Sequence, residues 1–226
     1  MPSDDNTTTR AGIQADSIAK EAWLKADPFP IAENIQRLKV AVTAARQCKT
    51  QGEAAELYAK YGIPVFPCNS KPDKEGKLRK FPLLGEGGSY LATTDLEQIH
   101  KWWEEYPLAL IGVPMGRRVG VWAVDADKKK DNDGVKAWFD LVAENDPGSA
   151  VTRAHKTGTG GLHFLYLWDN ERPIGNSNGN LPRDKIGEVK GEGGYVIFPP
   201  SPYTLNGQSL IHLSSSLVEH YVRVGG

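Results

Sequence analysis

Apolar positions recur at two spacings along this chain, and the spacings divide it into helices and strands. From Ile31 to Gln47, the residues Ile31, Ile35, Leu38, Val42 and Ala45 fall near helical spacing and predict one amphipathic helix. Residues 14–26 predict a shorter helix that stops before Asp27-Pro28-Phe29-Pro30, where two prolines favour extended backbone. Glu53 to Lys60 predicts another, with Gly62 as its stop. Thr94 followed by Glu97 fits a capping box, and Asp95 with Gln98 fits one a residue later. Behind that cap, Ile99, Trp102, Trp103 and Tyr106 give a heavy apolar face, and Pro107 ends the helix. Such tryptophans serve as core or stack on bases, and helical spacing favours core. Val135, Trp138, Phe139 and Val142 predict a helix over Asp133 to Asn145.

Strand patterns lie between these helices. Ile63 to Pro67 is a short run bounded by prolines, and Leu108 to Val113 leads into a turn at Pro114-Met115-Gly116. A strand begins near Ala150-Val151-Thr152. Leu162 to Trp168 alternate, with His163, Leu165 and Leu167 on one face and Leu162, Phe164 and Tyr166 on the other. Ile186 to Lys190 and Tyr195 to Phe198 flank a Gly-rich turn, and Asn206-Gly207 signals a hairpin. Residues 1–10 read as a polar tail, residues 170–185 as a loop and Ser214 to Val222 as a closing helix. The mixture predicts a mixed α/β (α+β) fold in which helices pack on a partly antiparallel sheet. Residues 1–50 form a tail and an N-terminal helical extension, and residues 51–226 form the main domain.

One strand carries chemistry. In the stretch Gly120 to Asp127, the residues Val119, Val121, Ala123, Asp125 and Asp127 share one parity. Both carboxylates therefore project from one side, about 6–7 Å apart along the chain. Two like charges at the end of an apolar strand need compensation. Either a divalent metal supplies it, or the end is a solvated acidic turn neutralised by Lys128, Lys129 and Lys130.

Composition narrows the function classes. In 226 residues, 39% are apolar and 24% charged, as in an ordinary globular protein. The net charge of −1 gives no global basic field, so a nucleic-acid partner would need a local patch. Cys48 and Cys68 are too few for a zinc site or a disulfide scaffold, so no zinc is expected and both read as reduced thiols of a cytoplasmic protein. No signal peptide and no 18-residue apolar run is present, so no membrane partner is expected. A local patch does occur. Asn69 to Lys80 carries Lys71, Lys74, Lys77, Arg79 and Lys80 against Asp73 and Glu75, which fits a solvated face or a phosphate-contacting loop.

Three features call for a joint explanation: the Asp125/Asp127 pair, a strand opening at Gly161-Leu162-His163 after a Gly-rich turn, and Glu188 with Lys190 before Gly191–Gly194. Two-metal phosphoryl transfer uses about three carboxylates, with backbone N–H groups and cations for the phosphates. Each part also has an ordinary reading: a hydrogen-bonded strand histidine, a plain turn, a surface ion pair worth under about 1 kcal/mol.

The order D-x-D, then G-x-H at a strand start, then a carboxylate strand running into GEGGYVIFPPS resembles the archaeo-eukaryotic primase superfamily. The closer resemblance is to the primase–polymerase (prim-pol) domain of plasmid and phage replication proteins. YGIPVFPC, the later Lys-Phe-Pro, ATTD with its Trp-Trp, and IGVPMG match the N-terminal half of that domain, and the whole resemblance covers roughly residues 53–205. It implies a catalytic core with a sheet like that of RNA-recognition folds. It implies that Asp125, Asp127 and Glu188 bind two divalent ions, Mg²⁺ or Mn²⁺, with Glu192 a weaker substitute for Glu188. It further implies that His163 and Gly161 meet the incoming nucleotide's phosphates, that Lys190 lies near the nucleotide, and that Lys80 reaches nucleotide or template. Tyr195 and Pro199-Pro200-Ser201 would shape the wall.

The implied activity is that of a DNA primase and DNA polymerase in plasmid or phage replication. Its partners would be a single-stranded DNA template, a primer and dNTP or NTP, with a helicase domain or protein as a further associate. The ending Gly225-Gly226 reads as that of an excised catalytic domain rather than a standalone enzyme. Two other classes compete: a non-catalytic nucleotide- or single-strand-binding module, and a metal-dependent nuclease or phosphohydrolase. Extended, shifted or shortened strands separate the three.

Overall fold

The computed structural model describes residues 16–34, 36–76, 78–85, 88–145, 152–157, 160–176, 186–201, 203–205 and 208–210. The polar tail, the closing helix and much of the 170–185 loop fall outside these residues. The chain divides into two compact units, Met1–Pro114 and Met115–Gly226.

The first unit holds helix α1 (residues 16–25), α2 (Pro30–Glu33), α3 (Arg37–Ala45), α4 (Gln51–Lys60) and α5 (Leu96–Glu105), with strands β1 (Phe66–Cys68) and β2 (Leu110–Pro114). The single helix expected from Ile31 to Gln47 is two: Asn34 leaves the helical region (φ −143°, ψ 75°) between α2 and α3. Asparagine's short amide competes with the helical backbone for hydrogen bonds, which explains a break there. Ile31, Leu38, Val42 and Ala45 are nevertheless buried, as their spacing requires.

Helix α4 begins two residues before the expected Glu53. The Thr50 hydroxyl accepts the Glu53 N–H at 3.1 Å, while Glu53 accepts from the Lys49 N–H at 2.7 Å. It ends at Gly62 (φ 78°), where Ile63 N–H reaches Tyr58 O and Gly62 N–H reaches Ala59 O, a Schellman closure. In α5 the cap is Asp95, not Thr94: its carboxylate accepts the Glu97 and Gln98 N–H groups at 2.9 and 3.3 Å. The residue before Pro107 cannot stay helical, and Tyr106 turns out at φ −124°, ψ 66°. Trp103 is buried, its indole N–H donating to Ala109 O, so it belongs to the core; Trp102 is half-buried. Strand β1 starts later than expected, because Val65 forms an isolated bridge with Thr93. It pairs antiparallel with β2.

The second unit holds β3 (Val121–Ala126), β4 (Lys128–Lys129), β5 (Asn132–Asp133), α6 (Gly134–Asn145), β6 (Arg153–Lys156), β7 (Leu162–Leu167), β8 (Gly187–Lys190), β9 (Tyr195–Phe198), β10 (Tyr203–Leu205) and β11 (Gln208–Leu210). Ahead of β3 the turn lies later than Pro114–Gly116. Pro114 is still strand, and Gly116 (φ 114°) closes a loop in which Gly120 N–H returns to Gly116 O. Strands β10 and β11 pair across positions 206–207, as the hairpin signal implies. The main sheet runs β6-β7-β3-β8, with each neighbouring pair antiparallel. One of its faces is apolar: Val124, Ala126, Phe164 and Ala154 pack with Val135, Trp138 and Val142 of α6. Asp133 caps α6 by accepting the Lys136 N–H at 3.0 Å. The fold is mixed α/β with antiparallel sheet and packed helices, as the pattern predicts.

Candidate active site

Because side chains alternate across a strand, the residues between those apolar positions fall on the opposite face of the main sheet. There the register aligns four of them. His155 stands opposite His163, His163 opposite Asp125, and Asp125 opposite Glu188. The row crosses all four strands and collects residues up to 63 positions apart in sequence, from Asp125 to Glu188.

Two glycines allow the strands to close on the acidic end of β3. A Cβ at Gly161 would lie 2.4 Å from Ala126 O, and one at Gly187 would lie 1.9 Å from Asp125 O. Gly187 also takes φ 141°, open to glycine alone. Asp127 follows the last residue of β3, but the ladder continues through it: its N–H donates to Ile186 O at 3.0 Å, and its carbonyl accepts the Gly134 N–H at 2.8 Å. The main chain therefore holds Asp125 and Asp127 in place from both flanks.

Each carboxylate here has a nitrogen of a basic side chain beside it. The imidazole Nε2 of His163 lies 3.3 Å from Asp125 Oδ1. Lys129 Nζ lies 2.9 Å from Asp127 Oδ2, and Lys190 pairs with Glu188. The hydrogen bond and charge of Asp127 raise the Lys129 pKa above the ordinary lysine value, with smaller help from Glu188 and Asp125. One ammonium thus senses all three carboxylates, so they share a field. Lys128 instead pairs with Asp133 at 3.0 Å.

His163 is 2% exposed, and its Nδ1 has no hydrogen-bond partner among the described residues. Glu192 lies apart from this group in its role: it accepts the Arg117 N–H at 3.0 Å and packs against Gly116 in the loop before β3. Ser201, after Pro199-Pro200, is fully buried.

Asp125, Asp127, His163, Glu188, Lys190 and Gly161 therefore gather around the end of β3. Lys80 belongs to the first unit, half-buried in the basic segment. Burial pushes the Cys68 thiol pKa up, and the nearby Lys80 charge opposes that. The basic segment is organised rather than loose. Asn69 donates to Lys71 O and Arg79 O, and Arg79 pairs with Asp73 at 2.8 Å.

The protein-family model of the bifunctional DNA primase/polymerase N-terminal domain, Prim-Pol, matches residues 54–212. The chain belongs to the Prim-Pol family. The Prim-Pol match begins within α4 and runs past β11, so it draws on both compact units and takes in the whole row on the main sheet. A search of curated proteins finds no significant match.

Sequence reasoning missed two residues at this end of the main sheet. Gly187 read as an ordinary strand residue, because its need for space arises only from pairing with β3. His155 carried a readable signal: a hairpin pairs residues equidistant from its turn, and His155 and His163 each stand four positions from residue 159.

Proposed function

We propose that this Prim-Pol domain performs template-directed nucleotidyl transfer, as a DNA primase and DNA polymerase, at the acidic end of β3. The observation that carries the reading is the register that sets Asp125 directly opposite Glu188, with Asp127 held by the main chain just beyond it and ion-paired to Lys129.

The donor set suits a hard divalent cation such as Mg²⁺ or Mn²⁺: three carboxylates, no thiolate, and a site that already holds a cation in the form of Lys129. With the side chains as they stand, no three His, Cys, Asp or Glu among the described residues converge on a single ion position. Asp127 and Glu188 are engaged by lysines on long flexible stems, and these can swing aside. When bound, two such ions supply Lewis acidity at the attacking 3′-hydroxyl and at the leaving pyrophosphate.

The chain's own residues do the rest. Asp125, Asp127 and Glu188 would hold the cations, and the main-chain ladder keeps Asp125 and Asp127 from splaying. His163 presents a ring nitrogen to the incoming nucleotide's phosphates, and the N–H groups around Gly161 add neutral donors. Lys129 and Lys190, once displaced from their carboxylates, supply positive charge to the triphosphate. Single-stranded DNA as template, an annealed primer, and dNTP or NTP are the partners this chemistry needs.

The experiment incubates the protein with Mg²⁺ or Mn²⁺, labelled nucleotides and single-stranded DNA, with and without an annealed primer. New strands without primer establish a primase, and extension with primer establishes a polymerase. Retarded DNA without chemistry would replace the reading by a binding module, and shortened DNA by a nuclease.

A further inference from the structure

One buried titratable side chain on the polar face of the main sheet has no part in the chemistry above. His155 is 1% exposed and directly opposite His163. Directly opposed residues on antiparallel strands have Cβ atoms about 5 Å apart and pack against each other. His155 is itself pinned, because its ring meets Phe198 edge to face, with centroids 4.9 Å apart and planes at 89°. An apolar side chain would fill such a position without the cost of burying a polar ring, so packing alone does not call for histidine.

A histidine ring is usually oriented by what its second nitrogen bonds. For His163, Nε2 faces Asp125, and Nδ1 has no hydrogen-bond partner among the described residues. The orientation of the ring therefore falls to its cross-strand neighbours, Asp125 on one side and His155 on the other. We propose that His155 is a positioning residue, fixing the His163 ring in the orientation that keeps it beside Asp125. The role of His163 toward nucleotide rests on the nucleotidyl-transfer reading; the effect of His155 on the His163 ring does not.

The test compares His155→Phe, which keeps a ring against Phe198, with His155→Gln, which keeps hydrogen-bonding capacity. Three quantities are read on the full chain: melting temperature, the imidazole ¹⁵N and ¹H chemical shifts of His163 without ligand, and nucleotide KM and kcat in primer extension. For His155→Phe we expect a melting temperature close to wild type, displaced His163 ring signals, and a nucleotide KM raised about tenfold with a smaller change in kcat. His155→Gln recovers part of the KM. A folded His155→Phe protein with unchanged His163 signals and unchanged KM overturns the proposal. If the wild-type chain incorporates no nucleotide, the polymerase reading fails, and the His163 signals alone decide the role of His155. If neither variant folds, the nuclear Overhauser contact between the two rings in the wild type decides, and its absence overturns the proposal.

Discussion

Asp125 and Glu188 stand directly opposite each other on β3 and β8, two carboxylates in the one arrangement that a sheet ordinarily avoids. Like charges so placed destabilise by about 0.2–1 kcal/mol relative to neutral pairs. On the nucleotidyl-transfer reading, the fold bears that cost because both acids serve the chemistry. Asp125→Asn, or Asp125→Ala with Asp127→Ala, is expected to reduce nucleotide incorporation by about a thousandfold or more. The melting temperature should stay within about 4 °C of wild type, because neither carboxylate belongs to the apolar core. Primer extension beside a thermal melt checks both halves. Retained synthesis in the folded double variant would remove the metal assignment.

Lys129 pairs with Asp127 where the nucleotidyl-transfer reading puts a metal ion, and its side chain is 69% exposed. Removing one positive charge about 5 Å from a bound divalent ion in a water-like medium is worth about 1.7 kcal/mol. Lys129→Ala should therefore bind Mn²⁺ about fifteenfold more tightly at low salt, as measured by electron paramagnetic resonance of free Mn²⁺. Unchanged or weaker binding would place the metal elsewhere.

Gly187→Ala has nowhere to put its methyl group, with Asp125 O only 1.9 Å from the ideal Cβ position. The strands must part. A loss of about 3 kcal/mol or more is expected, a fall in melting temperature of about 6–12 °C. Gly161→Ala meets Ala126 O at 2.4 Å and should behave alike. Chemical denaturation of both variants gives the answer.

In the first unit, His100 bridges two helices, its Nδ1 3.1 Å from Glu56 of α4 and its Nε2 3.3 Å from Glu104 of its own helix. The hydrogen bond to Glu56 and the charge of Glu104 raise its pKa above the ordinary 6.5. A raised histidine pKa stabilises the fold fully below the ordinary value, and the contribution fades as pH rises through the raised one. Glu56→Gln should move the His100 titration, followed by its ring proton resonance, down toward 6.5 and flatten the pH dependence of melting above it. An unmoved titration would show that the pair is not formed in solution.

Local patterns were legible where one element decides them. The alternation from Val119 to Asp127 placed the acidic strand, and helical spacing placed Val135, Trp138 and Val142 in the core. The cap of α5 was legible to within one residue, while that of α4 at Thr50 was not read. The pattern at Thr94 and Asp95 allowed two registers, and only the structure decides for Asp95, whose carboxylate accepts the Glu97 and Gln98 N–H groups while its own N–H donates to the Thr93 hydroxyl at 3.0 Å. The break at Asn34 was hidden because the apolar spacing continues across it. Register was not legible where partners are remote: the family resemblance brought Asp125 and Glu188 to one site, but nothing in the 62 intervening positions says that they stand directly opposite, or that Gly187 must be small.

The closeness of Gly161 and Gly187 to β3 also sets how this surface can change. Main-chain positions at the acidic end are dictated by a lattice with no slack, while the acids standing on it are part-exposed, Asp127 and Glu188 more than Asp125. Lengthening or shortening one acid retunes reach by a single methylene and leaves the lattice as it is, whereas a single methyl on either glycine displaces the acids together. Divergence among such proteins should therefore run freely through acid identity, Asp to Glu and back, and stall at two positions that bear no functional group.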